Sequence, residues 1–432
     1  MSATKFIALW FGLLVVIAAV VGGFNYLVDP YSLFGTPRIA HLNATKPANG
    51  RKIRLSIPYA MHRYRPEVIL AGNSRAEMGL NPRNICFARY NYRVFNLAVP
   101  GSSLYMQTRL IEDSIADGSD KLVLYGIYFF DFLLDGRHLR RQPWPPPHES
   151  FENRLATTVD GTANPHYRLQ YARDHLEALF SLDALWDSIR TVALQGRKEF
   201  TTRTDRGFNP SKAYYMNVIH HEGQAVLFQQ ELRNIFQHLG AHTYALYDGD
   251  SQWSERFEML RHLVDMTKRS GVKLVLFIGP YHAEYLEAIY QSGYGDVFEQ
   301  WKRMLATIAS RNGVELYDFS GYDGYSTVMP PRMGDTKTVL QWFWEPAHYR
   351  SRLGDIMLSR MLGSHCADAA VLPQPFGRRL TAASAAADIE ALHAGRARFV
   401  TGNPALIEHL KALAARYVPR SPQAQVATAG GS

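Results

Sequence analysis

Residues 121–127 (KLVLYGI) are apolar at almost every consecutive position, and this run constrains the fold more than any other segment. A strand with one face in water alternates apolar and polar residues, so a run of this kind has to be covered on both faces. Comparable short runs occur at 68–71 (VILA), 94–98 (VFNLA), 273–278 (KLVLFI) and 314–319 (VELYDF). Helix-like stretches lie between them at 104–116, 253–270 and 297–311, and a last one begins near Ala347 and ends near Gly363. Strands alternating with helices predict an α/β protein built on a five-stranded, doubly wound parallel sheet. The rhythm stops at 136–253, a long insertion that opens with a Pro-rich basic loop (138–148) and continues as mostly helix-like sequence. The main domain is thus expected over 29–363. Residues 364–432 read as an Ala-rich helical appendage followed by a disordered tail.

The N-terminus bears on location. After Lys5, residues 6–28 contain no charge. As a helix this stretch is about 34 Å long at ~1.5 Å per residue, enough to cross a ~30 Å hydrocarbon core. A cleaved signal peptide is the rival reading, but it calls for a shorter apolar stretch and a small-x-small site before a polar start. The expectation is a retained single-pass anchor in the cell inner membrane, with the main domain in the periplasm. The positive-inside rule has only Lys5 to act on before the anchor.

Composition excludes several classes. The 432 residues are 47% hydrophobic and 20% charged, which is globular and not disordered. A net charge of +8 favours anionic glycans or lipid headgroups, yet the Lys and Arg are scattered and no nucleic-acid-binding motif is present. Two cysteines, Cys86 and Cys366, exclude a disulfide-rich scaffold and a Cys-based zinc cluster; whether the two meet, sequence leaves open. His220-His221 lacks partners at metal-ligand spacing, so no metal and no cofactor is expected. The 12% aromatic content suits either a carbohydrate surface or a large core.

In an open parallel sheet, functional residues collect at the carboxyl ends of strands. Three such ends are conspicuous: Gly72-Asn73-Ser74-Arg75 after the first strand, Pro100-Gly101-Ser102-Ser103 after the second, and Trp344-Glu345-Pro346-Ala347-His348 after the last. Serine is a poor nucleophile until a base takes its proton, and imidazole does this near neutral pH. The imidazole needs a carboxylate to fix its tautomer. Glu345 and His348 are three apart, so a helical turn would place both on one face. Taken singly, each element has an ordinary reading: a turn serine, a Pro-Gly turn, a first-turn carboxylate and a surface histidine. Arg75 either holds an anionic group or caps its loop. His282, after the fourth strand, either touches substrate or is structural. The basic loop with Arg137, His138, Arg140 and Arg141 is either a solvated lid or an anion site.

In order and spacing these blocks resemble the SGNH/GDSL esterase and acyltransferase superfamily. That family carries its serine in a Gly-Asp-Ser-like block, an oxyanion-hole glycine after the second strand, and an Asp-x-x-His block near the end. Gly72-Asn73-Ser74, Gly101 and Glu345-x-x-His348 are similar to these three. The anchored SGNH-like proteins of alginate O-acetylation and teichoic-acid D-alanylation come closest in organisation. The resemblance implies Ser74 as nucleophile, His348 as base and Glu345 as its orienter. The backbone N–H groups of Ser74 and Gly101 would line an oxyanion hole, and Asn73, Arg75 and His282 would contact substrate.

Two positions depart from the pattern. Glu345 stands where the family usually has Asp. Gly126-Ile127-Tyr128 occupies the third block, where the family has an oxyanion-hole Asn. Tyr128 then either donates its hydroxyl or leaves the hole one donor short. The function implied is extracytoplasmic acyl transfer, O-acetylation first of all, onto an envelope or secreted polysaccharide, with acyl groups supplied by a membrane-bound O-acyltransferase. The alternatives are a non-catalytic polysaccharide-binding or assembly protein and a plain carbohydrate esterase.

Overall fold

The computed structural model describes residues 2–88, 90–135, 149–197, 200, 203–249, 254–363 and 376–418. The basic loop at 137–148, Cys366 and the tail after 418 lie outside them.

Strands β1 (Val68–Ala71), β2 (Val94–Asn96) and β3 (Leu122–Ile127) form from the apolar runs, as do β6 (Lys273–Ile278) and β7 (Glu315–Asp318). The order across the sheet is β2-β1-β3-β6-β7, with every neighbouring pair parallel. A short sixth strand, β8 (Arg378–Arg379), adds antiparallel to β7. Successive side chains serve opposite faces. Ile69, Ala71, Val123, Tyr125, Leu276 and Ile278 enter one core, whereas Val68, Leu70, Leu124, Val275 and Phe277 enter another. The first is closed by helices Ile53–Tyr64, Leu104–Ala116, Glu255–Arg269 and Gly295–Asn312, the second chiefly by Ser351–Leu362. Each fully buried branched side chain contributes roughly 1.5–3 kcal/mol, so unbroken apolar strands are what this two-sided sheet requires.

The stretch 29–65, whose sequence carries no clear period, contains the helix Ile53–Tyr64, which has Pro58 inside it and is buried against the sheet through Ile53, Ile57 and Met61. The segment after 375 is mostly helical. Its helices Ala385–Gly402 and Pro404–Tyr417 bury Leu392, Ile407 and Leu410 in the main core, and Arg396 pairs with buried Glu287 at 2.9 Å.

The insertion leaves and returns through an antiparallel pair, β4 (Leu134–Asp135) with β5 (Tyr244–Ala245). Its helices fall into two groups. Tyr167–Phe180 and Leu182–Ala193 form a hairpin beside the N-terminal helix, while Lys212–Glu222 and Gln224–Ala241 pack towards the end of the sheet that carries Trp344.

Helix Ala3–Val28 is long and apolar enough to cross a membrane, with a mean hydropathy of 2.6. It ends at Asp29 in left-handed conformation (φ 46°). The Asp29 carboxylate accepts from the backbone N–H groups of Leu33 (2.7 Å), Phe34 (3.2 Å) and Gly35 (3.1 Å), and pairs with buried Lys46 at 3.1 Å.

Candidate functional site

β1 sits between β2 and β3, so the chain leaves its carboxyl end in one direction and that of β3 in the other. This is where an open parallel sheet forms a crevice. Gly72 turns the chain out of β1 at φ 142°, in a region L-residues avoid, and a Cβ there would meet the Ala76 Cβ at 2.9 Å. Asn73 then caps the helix Ser74–Gly79, its side chain accepting from the Arg75 N–H at 3.1 Å. Ser74 is thereby held half-exposed at the first helical position.

From the far end of the fold comes His348, whose Nε2 lies 2.7 Å from Ser74 Oγ. Its Nδ1 is hydrogen-bonded to Glu345 Oε1. The other carboxylate oxygen accepts from the Ala347 N–H at 2.7 Å. Burial alone would push the Glu345 carboxyl up, but His348, the Ala347 N–H and Arg75 together outweigh it and hold Glu345 below its ordinary value. The local geometry differs from the helical turn read from sequence. Phe343 and Tyr349 form an isolated antiparallel bridge, Trp344 N–H donates to the His348 carbonyl at 2.9 Å, and the helix begins only at Ser351. Glu345 and His348 therefore share a tight turn. The turn is closed by His348 N–H donating to the Glu345 carbonyl at 3.3 Å, with Pro346 at its second position, where the fixed φ of proline fits a β-turn.

Two glycines let this turn reach the serine. A Cβ on Gly79 would fall 1.9 Å from the Tyr349 ring, and one on Gly354 would fall 1.9 Å from the Gly79 carbonyl. The serine helix and the helix after His348 thus meet backbone to backbone.

The remaining residues singled out in the sequence take varied places. Beside Gly72, where Val99 N–H donates to its carbonyl at 3.2 Å, starts the turn Val99-Pro100-Gly101-Ser102. Gly101 has φ 62°, as a type II turn requires at that position, and its carbonyl accepts from Arg54 at 3.0 Å. Asn73 faces Asp131, to which its amide donates at 3.3 Å.

Three expectations are corrected. Tyr128 is 0% exposed and lies under the site, its ring filling space above Gly126 and Gly279 that a Cβ on either would contest. Its hydroxyl does not open towards a substrate. Arg75 is buried and holds no free anion. Its guanidinium stacks on Tyr128, Tyr281 and Tyr285 at 4.8–4.9 Å, and its Nε donates to the Ala347 carbonyl at 2.9 Å, cross-bracing the serine loop to the histidine turn. His282 is fully buried as well. It caps helix Ala283–Gln291 through Nδ1, donates from Nε2 to the Val328 carbonyl at 2.9 Å, and burial drives its pKa down to about 4.

Four further groups at the site carry no local signal in the sequence. Gln224, buried at the start of its helix, donates to the Phe343 and Trp344 carbonyls, both at 2.9 Å, and accepts from Leu340 N–H at 2.7 Å. Tyr215 stacks on Trp344 with 5.0 Å between ring centroids and reaches Glu345 Oε1 at 3.4 Å. Glu231, on the same helix as Gln224, has its pKa pushed up to about 7, by burial first and by the like charge of Glu345 second. Asp131 accepts from Asn73 and Gln107 beneath the serine loop, and burial raises it to about 6. Among the described residues no group of three or more His, Cys, Asp or Glu side chains gathers as a metal site would.

No family model matches the chain, and no curated protein is significantly similar to it in sequence. Geometry therefore carries the functional argument alone. A hydroxyl, an imidazole and a buried carboxylate, in line at a sheet edge, can make and resolve an ester on the serine.

Proposed function

We propose that the protein is a membrane-anchored, extracytoplasmic serine acyltransferase that moves an acyl group, acetyl first of all, onto a hydroxyl of an envelope or secreted polysaccharide. The observation that carries this reading is the line from Ser74 Oγ through His348 to Glu345 at the carboxyl edge of the sheet. We further read the five parallel strands, covered on both faces, as the doubly wound sheet of the SGNH/GDSL superfamily.

In this reading Ser74 Oγ attacks the acyl carbonyl while His348 Nε2 takes its proton. Glu345 holds the ring in the tautomer with Nδ1–H and steadies the imidazolium. The proton passes to the departing donor group, leaving an ester on Ser74. A sugar hydroxyl then attacks that ester, surrenders its proton to His348, and Ser74 leaves with that proton. The oxyanion is met by the Ser74 and Gly101 backbone N–H groups.

With Tyr128 beneath the site, no third-block side chain adds a donor. Loss of one such donor typically costs ~10²–10³ in rate. A site so equipped is slow with water and profits from an acceptor that is bound before it reacts. The disulfide-bonded state of Cys86 and the apolar helix Ala3–Val28 both suit a periplasmic domain tethered to the inner membrane, where a membrane-bound O-acyltransferase would supply the acyl group.

The test is Ser74→Ala, assayed on p-nitrophenyl acetate and on polysaccharide acylation in cells. Slow turnover and cellular acylation, both lost in the variant, support the transferase. Fast turnover with acylation unchanged in the variant makes the protein an esterase. If neither responds, it is a binding or assembly protein.

A further inference from the structure

The hairpin Tyr167–Phe180 and Leu182–Ala193 is built inside out. Its inward side carries charge: Asp174 is held by Arg154 (2.6 Å) and the Tyr59 hydroxyl (2.8 Å), and Asp187 by Arg51 (2.6 Å) and the Tyr31 hydroxyl (3.0 Å). Its outward side is apolar. Leu169, Leu176 and Phe180 recur at helical spacing on the first helix, as do Leu182, Trp186 and Ile189 on the second, and all six are exposed. Leu182 at the tip is 83% exposed and Trp186 65%. A water-facing helix pair shows the reverse pattern.

The hairpin also has a fixed height against the N-terminal helix. Phe180 packs so closely on Gly22 that a Cβ there would fall 2.7 Å from its ring, and the Asn25 amide donates to the Leu179 carbonyl at 2.8 Å. Gly22 is six residues before Val28, so the tip lies about 9 Å back along the helix axis from its end. An interfacial helix buries its apolar face by about 5–10 Å.

We propose that the tip and outward face of this hairpin lie in the outer interfacial layer of the bilayer that the N-terminal helix crosses, giving the domain a second membrane contact. The proposal rests on reading Ala3–Val28 as a retained anchor. The occupant follows from continuity, because lipid surrounding the last turns of the anchor is already in register with Phe180 and Leu182. Exposed Arg173, Glu177, Asp183 and Arg190 flank the apolar stripes and limit insertion to headgroup depth. Trp186 suits that layer.

The experiment uses the full chain in lipid nanodiscs. An environment-sensitive fluorophore is attached at Leu182→Cys, at Trp186→Cys as a second probe of the face, at Leu14→Cys in the anchor, and at Glu408→Cys on a remote surface. Cys86, being disulfide-bonded, does not compete. Quenchers are lipids with a nitroxide near the headgroup or deep in the chain. The expected result is loss of most emission at 182 and 186 with the shallow quencher, quenching at 14 with the deep one, and none at 408. Quenching at 14 without quenching at 182 or 186 overturns the proposal and leaves the anchor standing. No quenching at 14 removes the anchor and the proposal with it. Shielding at 182 only after a second membrane protein is added would assign the face to a protein partner instead.

Discussion

The two halves of the site are made differently. The serine half is local: β1, Gly72, the Asn73 cap and Ser74 follow one another within seven residues, and their geometry is set by one strand and one short helix. The histidine half is assembled from a distance. Its turn is held by Gln224 and Tyr215 from the insertion, by Arg75 from the serine loop, and by the His282 N–H, which donates to the Pro346 carbonyl at 3.2 Å. A local motif can lose its reactive atom and keep its shape. A turn suspended from other elements loses position and stability together.

The sharpest use of this contrast is Ser74→Ala. It should lower ester turnover by about 10⁴-fold or more while leaving the thermal midpoint nearly unchanged. His348→Ala should match it, and the double variant should be no worse than either alone. Additive losses in the double variant would separate the two residues and break the triad.

Gly354→Ala comes next. Its Cβ has to displace the Gly79 carbonyl, which forces the serine helix from the histidine turn. A misplacement of about 1 Å costs on the order of 10²-fold in rate, and overpacking costs about 1–3 kcal/mol. Kinetics and thermal denaturation of one preparation read both. An active, fully stable variant would show that the glycine contact does not set the spacing.

Gln224→Ala touches nothing that reacts. It leaves two buried carbonyls and one N–H unpaired, so it should lower stability by about 2–3 kcal/mol and turnover along with it. Loss of turnover at undiminished stability would contradict the supporting role and place Gln224 at the substrate.

Glu231 adds a pH dependence confined to the histidine half. Its ordinary value is 4.5 and its folded value is about 7, so between these limits the folded protein holds a proton that the unfolded chain has released. Through this group stability falls as pH rises from about 4.5 to about 7. Glu231→Gln should therefore gain about 1 kcal/mol over the parent above pH 7, after discounting for partial exposure, and nothing below about pH 4.5. Equal gains at both ends would place the effect elsewhere. The smallest expected change is Tyr215→Phe, which removes one long hydrogen bond to Glu345 and should slow turnover only a few-fold.

How far the sequence reveals all this follows the same division. The parallel strands were legible because two-sided burial leaves continuous apolar runs, and Ser74, Gly101, Glu345 and His348 stood out because each lies at or beyond a strand's carboxyl end. The supports were not legible. Gln224 and Tyr215 act on residues more than a hundred positions away, and pairing at that range leaves no local period. Arg75 looked like a substrate contact because a cation beside a nucleophile usually faces solvent, and the tyrosines that enclose it arrive from segments that follow two other strands, Tyr128 after β3 and Tyr281 and Tyr285 after β6. His282 is an unusual helix cap, a place more often taken by Ser, Thr, Asp or Asn. Glycines 79 and 354 gave no sign of meeting, since small size shows its purpose only once a neighbour is known.

The Asp29 carboxylate, gathering three backbone N–H groups and Lys46 where the apolar helix ends, makes that joint stiff. If the helix is the anchor proposed above, a flexible tether would let the domain sweep a hemisphere, whereas a stiff post would hold Ser74 at one altitude. Under the proposed acyl transfer, reach would then act as a selection rule: polymer segments threading past at that altitude would be served, and chemically identical hydroxyls closer in or farther out would be passed over. Splicing flexible residues between Val28 and the domain should broaden the positions modified along a polymer without altering the chemistry at any one of them.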